Sequence, residues 1–186
     1  MDAAILFSDI MTPLEGMGLE LEFAPGPVIG NPVRTAADVD ALRVADPEET
    51  VPFVLETIRI LRRELPESAP LIGFAGAPFT TYCYAVQGKG SKTFARAKAL
   101  MFGDPPTARA LLEKIADTTA RYLGAQAEAG AQALMVFDSW AGNLSPRMYR
   151  EFALPAVQRV MASLEEHDVP LIYFPNQGAT LLEDAK

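Results

Sequence analysis

Three runs pass straight from apolar, strand-forming residues into polar or glycine-rich ones: Ile5-Leu6-Phe7-Ser8-Asp9-Ile10, Gly73-Phe74-Ala75-Gly76-Ala77-Pro78-Phe79-Thr80 and Val136-Phe137-Asp138-Ser139-Trp140-Ala141-Gly142. Parallel strands are covered on both faces and therefore read as continuous apolar runs. In a parallel β/α protein the carboxyl ends of all strands open on one side, so residues far apart in sequence meet there. Asp9, the stretch from Ala77 to Tyr84 and Ser139 are thus expected to converge.

Strands are expected over Ala3–Phe7, Leu71–Phe74, Leu134–Phe137 and Leu171–Phe174. Helices lie between them. Asp46-Pro47-Glu48-Glu49 combines an N-cap, a proline at the first helical position and acids in the first turn. Val51, Val54, Leu55, Ile58 and Leu61 then follow at helical spacing, which predicts one helix to about Glu64. Asp104-Pro105 opens a second helix, with an apolar stripe from Ala108 to Leu123 and a stop at Gly130. Ser145-Pro146 opens a third, where Pro155 predicts a kink or break near Leu154. Leu19–Phe23 followed by Ala24-Pro25-Gly26-Pro27 reads as an extended excursion with a turn, and Gly178–Glu183 as the start of a further helix.

Strands alternating with helices give a parallel α/β sheet with right-handed crossovers. A closed eight-stranded barrel takes ~250 residues, and this chain has 186. The expectation is one partial (β/α) barrel domain over residues 1–186, with about four β/α units. At 49% hydrophobic residues, the chain can bury a sizeable core. No apolar run approaches the ~20 residues of a membrane-spanning helix, and the N-terminus lacks a secretory pattern, so the expected location is cytoplasmic, away from membranes. Cys83 is the one cysteine, which excludes an internal disulfide framework.

A formal charge of −8 argues against a nucleic-acid surface, which needs clustered Lys and Arg. Arg62-Arg63 sits among glutamates, and Lys89, Lys92, Arg96 and Lys98 read as a solvated loop and helix face. Gly88-Lys89-Gly90-Ser91-Lys92-Thr93 fails the phosphate-loop pattern, because Ser91 rather than glycine precedes Lys92-Thr93 and no strand leads directly into it. Cys83 and His167 are too few and too isolated for a metal site. His167, among Glu165, Glu166 and Asp168, reads as a solvated helix end. Trp140 is expected to pack beneath the loop, and Asp138 to orient it by backbone capping or to line the pocket.

Taken together with Gly90-Ser91-Lys92 and Phe152-Ala153-Leu154-Pro155, the three runs closely resemble the uroporphyrinogen decarboxylase family. The resemblance spans nearly the whole chain in order. It implies a (β/α)8 TIM barrel, a homo-oligomer, and cofactor-free conversion of the four acetate arms of uroporphyrinogen III to methyls. It carries the pyrrole-contacting aspartate onto Asp9, as a catalytic and substrate-binding group, and substrate contacts onto Tyr84 and Ser139. The tyrosine assignment can slip to Tyr82; the spacing to Gly88 and Gly90 favours Tyr84.

Electrostatics supports Asp9 independently. Decarboxylation of a pyrrole acetate leaves a carbanion, a protonated ring is its electron sink, and a fixed carboxylate stabilises that cation. The competing reading is that Asp9 caps a loop or helix. The family's arginine segment ahead of the first strand and its C-terminal histidine have no counterpart in these 186 residues. The chain alone is therefore expected to be inactive and to self-associate through open sheet edges, with Lys89 and Lys92 as candidate cations at the pocket mouth. Two rivals remain open: a related corrinoid-to-thiol methyltransferase, which would need a His/Cys zinc site, and a non-catalytic fragment that only associates with other chains.

Overall fold

The computed structural model describes residues 2–23 and 25–185. In chain order the elements are β1 (Ala4–Ile5), α1 (Thr12–Met17), β2 (Leu21–Phe23), β3 (Pro27–Ile29), α2 (Ala36–Ala41), α3 (Pro47–Thr50), α4 (Pro52–Glu64), β4 (Leu71–Gly76) and α5 (Pro78–Gln87). They continue with α6 (Ala95–Gly103), α7 (Pro105–Glu128), β5 (Ala133–Asp138), α8 (Pro146–Met148), α9 (Leu154–Leu164) and β6 (Leu171–Pro175). Strands β1, β4, β5 and β6 form a parallel sheet in that order, and β2 pairs antiparallel with β3. Sequential parallel strands joined by helices are the start of a β/α barrel wall.

Local chemistry explains most element ends. Asp46, Asp104 and Ser145 each accept a first-turn backbone N–H, and Pro47, Pro105 and Pro146 occupy the first turns, where their missing donors cost nothing. The helix expected from Pro47 to Glu64 is broken at Val51, because Pro52 has no N–H to continue it and starts α4 afresh. Pro155 acts as anticipated, through a π-helical turn over Tyr149–Ala153 that precedes α9. Gly178 to Ala185 forms successive turns instead of the expected helix. The expected excursion is the β2–β3 hairpin; Ala24 lies outside the described residues.

Leu71, Ala75, Leu134 and Val136 face the helices and join Leu55, Ile58, Leu111, Ile115, Leu123 and Val160 in one continuous core. Burying each such side chain contributes ~1.5–3 kcal/mol. Alternate residues face the other, concave side. There Phe74, Phe137 and Phe174 run across β4, β5 and β6, and Phe7, just past β1, extends the row, with ring centroids 6.2, 5.5 and 6.0 Å apart in succession from Phe7. Burial on both faces, expected for every strand, does not hold at the sheet's flanks. Ile5, Phe7, Ile172 and Phe174 are 48, 82, 38 and 48% exposed, because only the central strands have neighbours on both sides.

The first strand is also shorter than its apolar run, with pairing limited to Ala4 and Ile5. Further along β4, the Phe74 backbone bonds a side chain. Gln126, buried on α7, accepts from the Phe74 N–H at 3.0 Å and donates to its carbonyl at 3.0 Å. Gly73 makes the room, since a Cβ there would sit 2.7 Å from Gln126 Oε1.

Candidate active site

Because the sheet is parallel, the loops after β1, β4, β5 and β6 share one rim. Asp9 follows β1, Tyr84 lies in α5 after β4, Ser139 follows β5, and Asn176 and Gln177 follow β6. Asp9 is half-buried, and its Oδ1 accepts the Met11 N–H at 2.8 Å. One carboxylate oxygen thus does the capping work of the competing reading. The other takes part in no hydrogen bond among the described residues.

The two tyrosines of α5 differ in kind. Tyr82 is fully buried, stacks on Phe79 and donates to the Ala97 carbonyl at 3.0 Å. Tyr84 is half-buried on the rim side, where its ring lies 5.7 Å from Phe94 and 6.4 Å from Trp140. Burial raises the Tyr84 phenol above its ordinary value, the Trp140 indole opposes this, and the nearby Asp9 charge adds to the rise. Tyr84 therefore stays a neutral donor at physiological pH. The Trp140 Nε1 completes no well-formed hydrogen bond among the described residues, so its hold on Tyr84 is electrostatic. Trp140 packs edge-on against Phe94 at 4.9 Å.

Ser139 lines a cleft of about 270 Å³ with Lys92, Trp140, Gly142, Asn143, Asn176 and Gln177. Its hydroxyl makes no hydrogen bond among the described residues, whereas its carbonyl accepts from Asn176 Nδ2 at 3.2 Å. Gly142 N–H donates to the Asn176 carbonyl at 3.1 Å. A Cβ on Gly142 would lie 2.6 Å from Cβ of Gln177, so only glycine permits this approach. Neither Asp9 nor Tyr84 lines this cleft, although the Tyr84 ring lies 6.4 Å from that of Trp140, which does. A larger recess of about 520 Å³, lined by Asp46, Asp117, Arg121 and Glu128, lies on the outer helices and not among the strand-end loops.

Asp138 differs from expectation. It is fully buried and turned toward the helices, and its carboxylate caps no backbone. Oδ1 accepts the Thr80 hydroxyl at 2.6 Å, and Oδ2 accepts the Tyr173 hydroxyl at 2.9 Å. Tyr149, in the π-helical turn, donates to the Tyr173 oxygen at 3.3 Å, and Thr80 Oγ1 accepts the Trp140 backbone N–H at 3.2 Å. Burial pushes the Asp138 carboxyl up to about 6, against the pull of its two hydroxyl donors. Thr80 lies in the stretch expected at the rim, without a role of its own there, and the sequence alone does not single out Tyr149, Tyr173 or Asn176.

His167 ends a helical turn among exposed neighbours, as expected, and is partly solvated, lining the recess on the outer helices. It lies half-buried over α7, where a Cβ on Gly124 would be 2.8 Å from its Nε2. Cys83 is buried in α5, and burial, with the Asp138 charge, pushes its thiol well above the ordinary range. Among the described residues no three of His, Cys, Asp and Glu gather as metal ligands. Lys92 reaches the cleft, while Lys89 bridges to Val28 of the hairpin. No helix among the described residues is long and apolar enough to cross a membrane.

A parallel β/α wall with an apolar face and a polar rim at its strand ends defines an incomplete β/α barrel. The solved methyltransferase from Methanosarcina mazei shares this fold, with a TM-score of 0.76 over 92% of this chain and 50% of that one, at 22% identity. The family model described as uroporphyrinogen decarboxylase (URO-D) matches residues 1–186, and the chain belongs to that family. The uroporphyrinogen decarboxylase of Geobacter sp. (strain M21) is 52% identical over 185 residues, covering 100% of this chain and 55% of that protein. That of Syntrophotalea carbinolica is 57% identical over 182 residues, covering 98% and 53%. The chain spans about half the length of the curated relatives it matches.

Proposed function

We propose that this chain supplies the Asp9, Tyr84 and Ser139 part of an active site that decarboxylates the acetate arms of uroporphyrinogen III, giving coproporphyrinogen III as a step in haem and tetrapyrrole biosynthesis. The observation that carries the reading is Asp9, a half-buried carboxylate with one oxygen fixed by Met11 N–H and the other uncommitted. It sits at the same rim as a neutral phenol and an unengaged serine hydroxyl.

Each loss of carbon dioxide exchanges one C–C bond for one C–H bond. A proton added to the pyrrole provides the electron sink, the carboxylate leaves as carbon dioxide, and the enamine carbon left behind takes up a proton to become a methyl while the ring releases the proton it first gained, so that one proton is consumed in all. The balance needs no redox cofactor. An Asp9 carboxylate facing the pyrrole N–H groups stabilises the ring cation as it forms. Tyr84 and Ser139 donate hydrogen bonds to substrate carboxylates, and Lys92 adds a cation at the cleft mouth. In this reading the catalyst is a cytoplasmic homo-oligomeric carboxy-lyase acting on a small molecule, with no nucleic acid or membrane partner and no cofactor.

The test is coproporphyrinogen formation from uroporphyrinogen by the protein that carries these residues, compared with its Asp9→Asn variant. Deleting the charge while keeping the shape is expected to lower turnover ~10²-fold or more, with an unchanged melting profile. Near-normal turnover in Asp9→Asn makes Asp9 a structural cap instead.

A further inference from the structure

The buried Asp138 carboxylate has no place in the chemistry above, yet it touches the elements that carry the cleft. It lies between α5, through Thr80, and β6, through Tyr173, immediately before Ser139. An ionised carboxylate only accepts hydrogen bonds, so both hydroxyls must point at it. Thr80 then has its proton committed and a lone pair left for the Trp140 N–H. The chain of donors runs from Tyr149 to Tyr173 to Asp138 on one side, and from Trp140 to Thr80 to Asp138 on the other. Every bond in it has a fixed direction.

We propose that Asp138 is a positioning residue: through Thr80 its ionised carboxylate fixes the Ser139–Trp140 turn, and so sets where the Ser139 hydroxyl stands in the cleft. Protonation makes one Asp138 oxygen a donor. Losing the charge weakens the bond from the Thr80 hydroxyl, and the hold on the turn slackens. The inference deepens the decarboxylase reading, on which Ser139's role rests. The hold on the turn itself is measurable without catalysis.

The titratable groups facing Asp138 are Tyr173 from β6, Tyr149 from the π-helical turn and Cys83 from α5. All three are pushed up chiefly by burial and stay neutral around pH 6. Lys98 of α6 acts on Cys83, and among the described residues no cation forms a salt bridge with Asp138.

Trp140 is the chain's one tryptophan, so its fluorescence reads the turn directly. Emission of the wild-type chain is expected to titrate with a midpoint near pH 6. The transition should vanish in Asp138→Asn, vanish in Thr80→Val, return in Thr80→Ser, and persist in His167→Gln. An unchanged transition in Asp138→Asn, or full amplitude in Thr80→Val, overturns the proposal, as does a pH-independent wild type. Should Asp138→Asn fail to fold, the Thr80→Val and Thr80→Ser pair decides. In the porphyrinogen assay Asp138→Asn should lower kcat/KM ~10-fold or more, as misplacing a reacting or binding group does. If a protein that carries these residues together with the family's arginine segment and C-terminal histidine gives no turnover while the emission results hold, the decarboxylase reading fails and the positioning role stands.

Discussion

Asp138 should also leave a mark on stability, with a sign opposite to that of a surface carboxylate. Its ordinary carboxyl value of 3.8 applies in the unfolded chain, against about 6 in the fold. Two pH units at ~1.4 kcal/mol each amount to ~3 kcal/mol. Below about pH 4 the group is protonated in both states and contributes no pH dependence. Between about pH 4 and 6 the folded protein keeps its proton while the unfolded chain releases it, so the native state binds more protons and stability falls as pH rises. Above about pH 6 the loss is complete. Asp138→Asn is neutral throughout and escapes it. Urea unfolding of both proteins between pH 4 and 7.5 cancels the titrations they share. The variant's stability relative to wild type should therefore rise by ~3 kcal/mol across that range, whatever its offset at pH 4. Parallel stability curves would refute the argument, showing that Asp138 titrates alike in both states.

Two other perturbations follow from close contacts. Gln126→Leu removes both side-chain bonds to the Phe74 backbone and leaves a buried N–H and carbonyl without partners, at ~1–3 kcal/mol for each group; chemical denaturation should show ~2–5 kcal/mol lost, and a change under ~1 kcal/mol would mean that water or strand rearrangement replaces the glutamine. Gly142→Ala drives a methyl into Gln177 and the carbonyls of Asn176 and Gln177, so the loops after β5 and β6 should separate with little change in global stability; slowed Trp140 quenching by acrylamide, instead of the expected faster quenching, would contradict this.

Where the sequence succeeded, the determining interactions are local. Caps at Asp46, Asp104 and Ser145 act within three residues of themselves, so a reader of the chain can place the helix starts. A parallel sheet sends all its strand ends to one rim, so the placing of Asp9, Tyr84 and Ser139 at that rim was legible from their positions after apolar runs. Which of Tyr82 and Tyr84 is buried was not. Two helical steps separate them by ~200° around the axis, but which direction faced the core depended on where α6 and α7 packed.

Asp138 shows the boundary most clearly. Strand alternation places it opposite Phe137 and Ser139, but a run apolar on both sides gives no sign of which face meets the helices. Its partners lie 58 residues earlier and 35 residues later, joined only once β6 lies beside β5 and α5 covers them. The same holds for the contact of His167 with Gly124 of α7, of which its charged neighbours give no sign. Short-range sterics and hydrogen bonding settled the elements and the rim. Burial, which sets whether a carboxylate caps, titrates or positions, is a property of the assembled layers and was decided only by the tertiary structure.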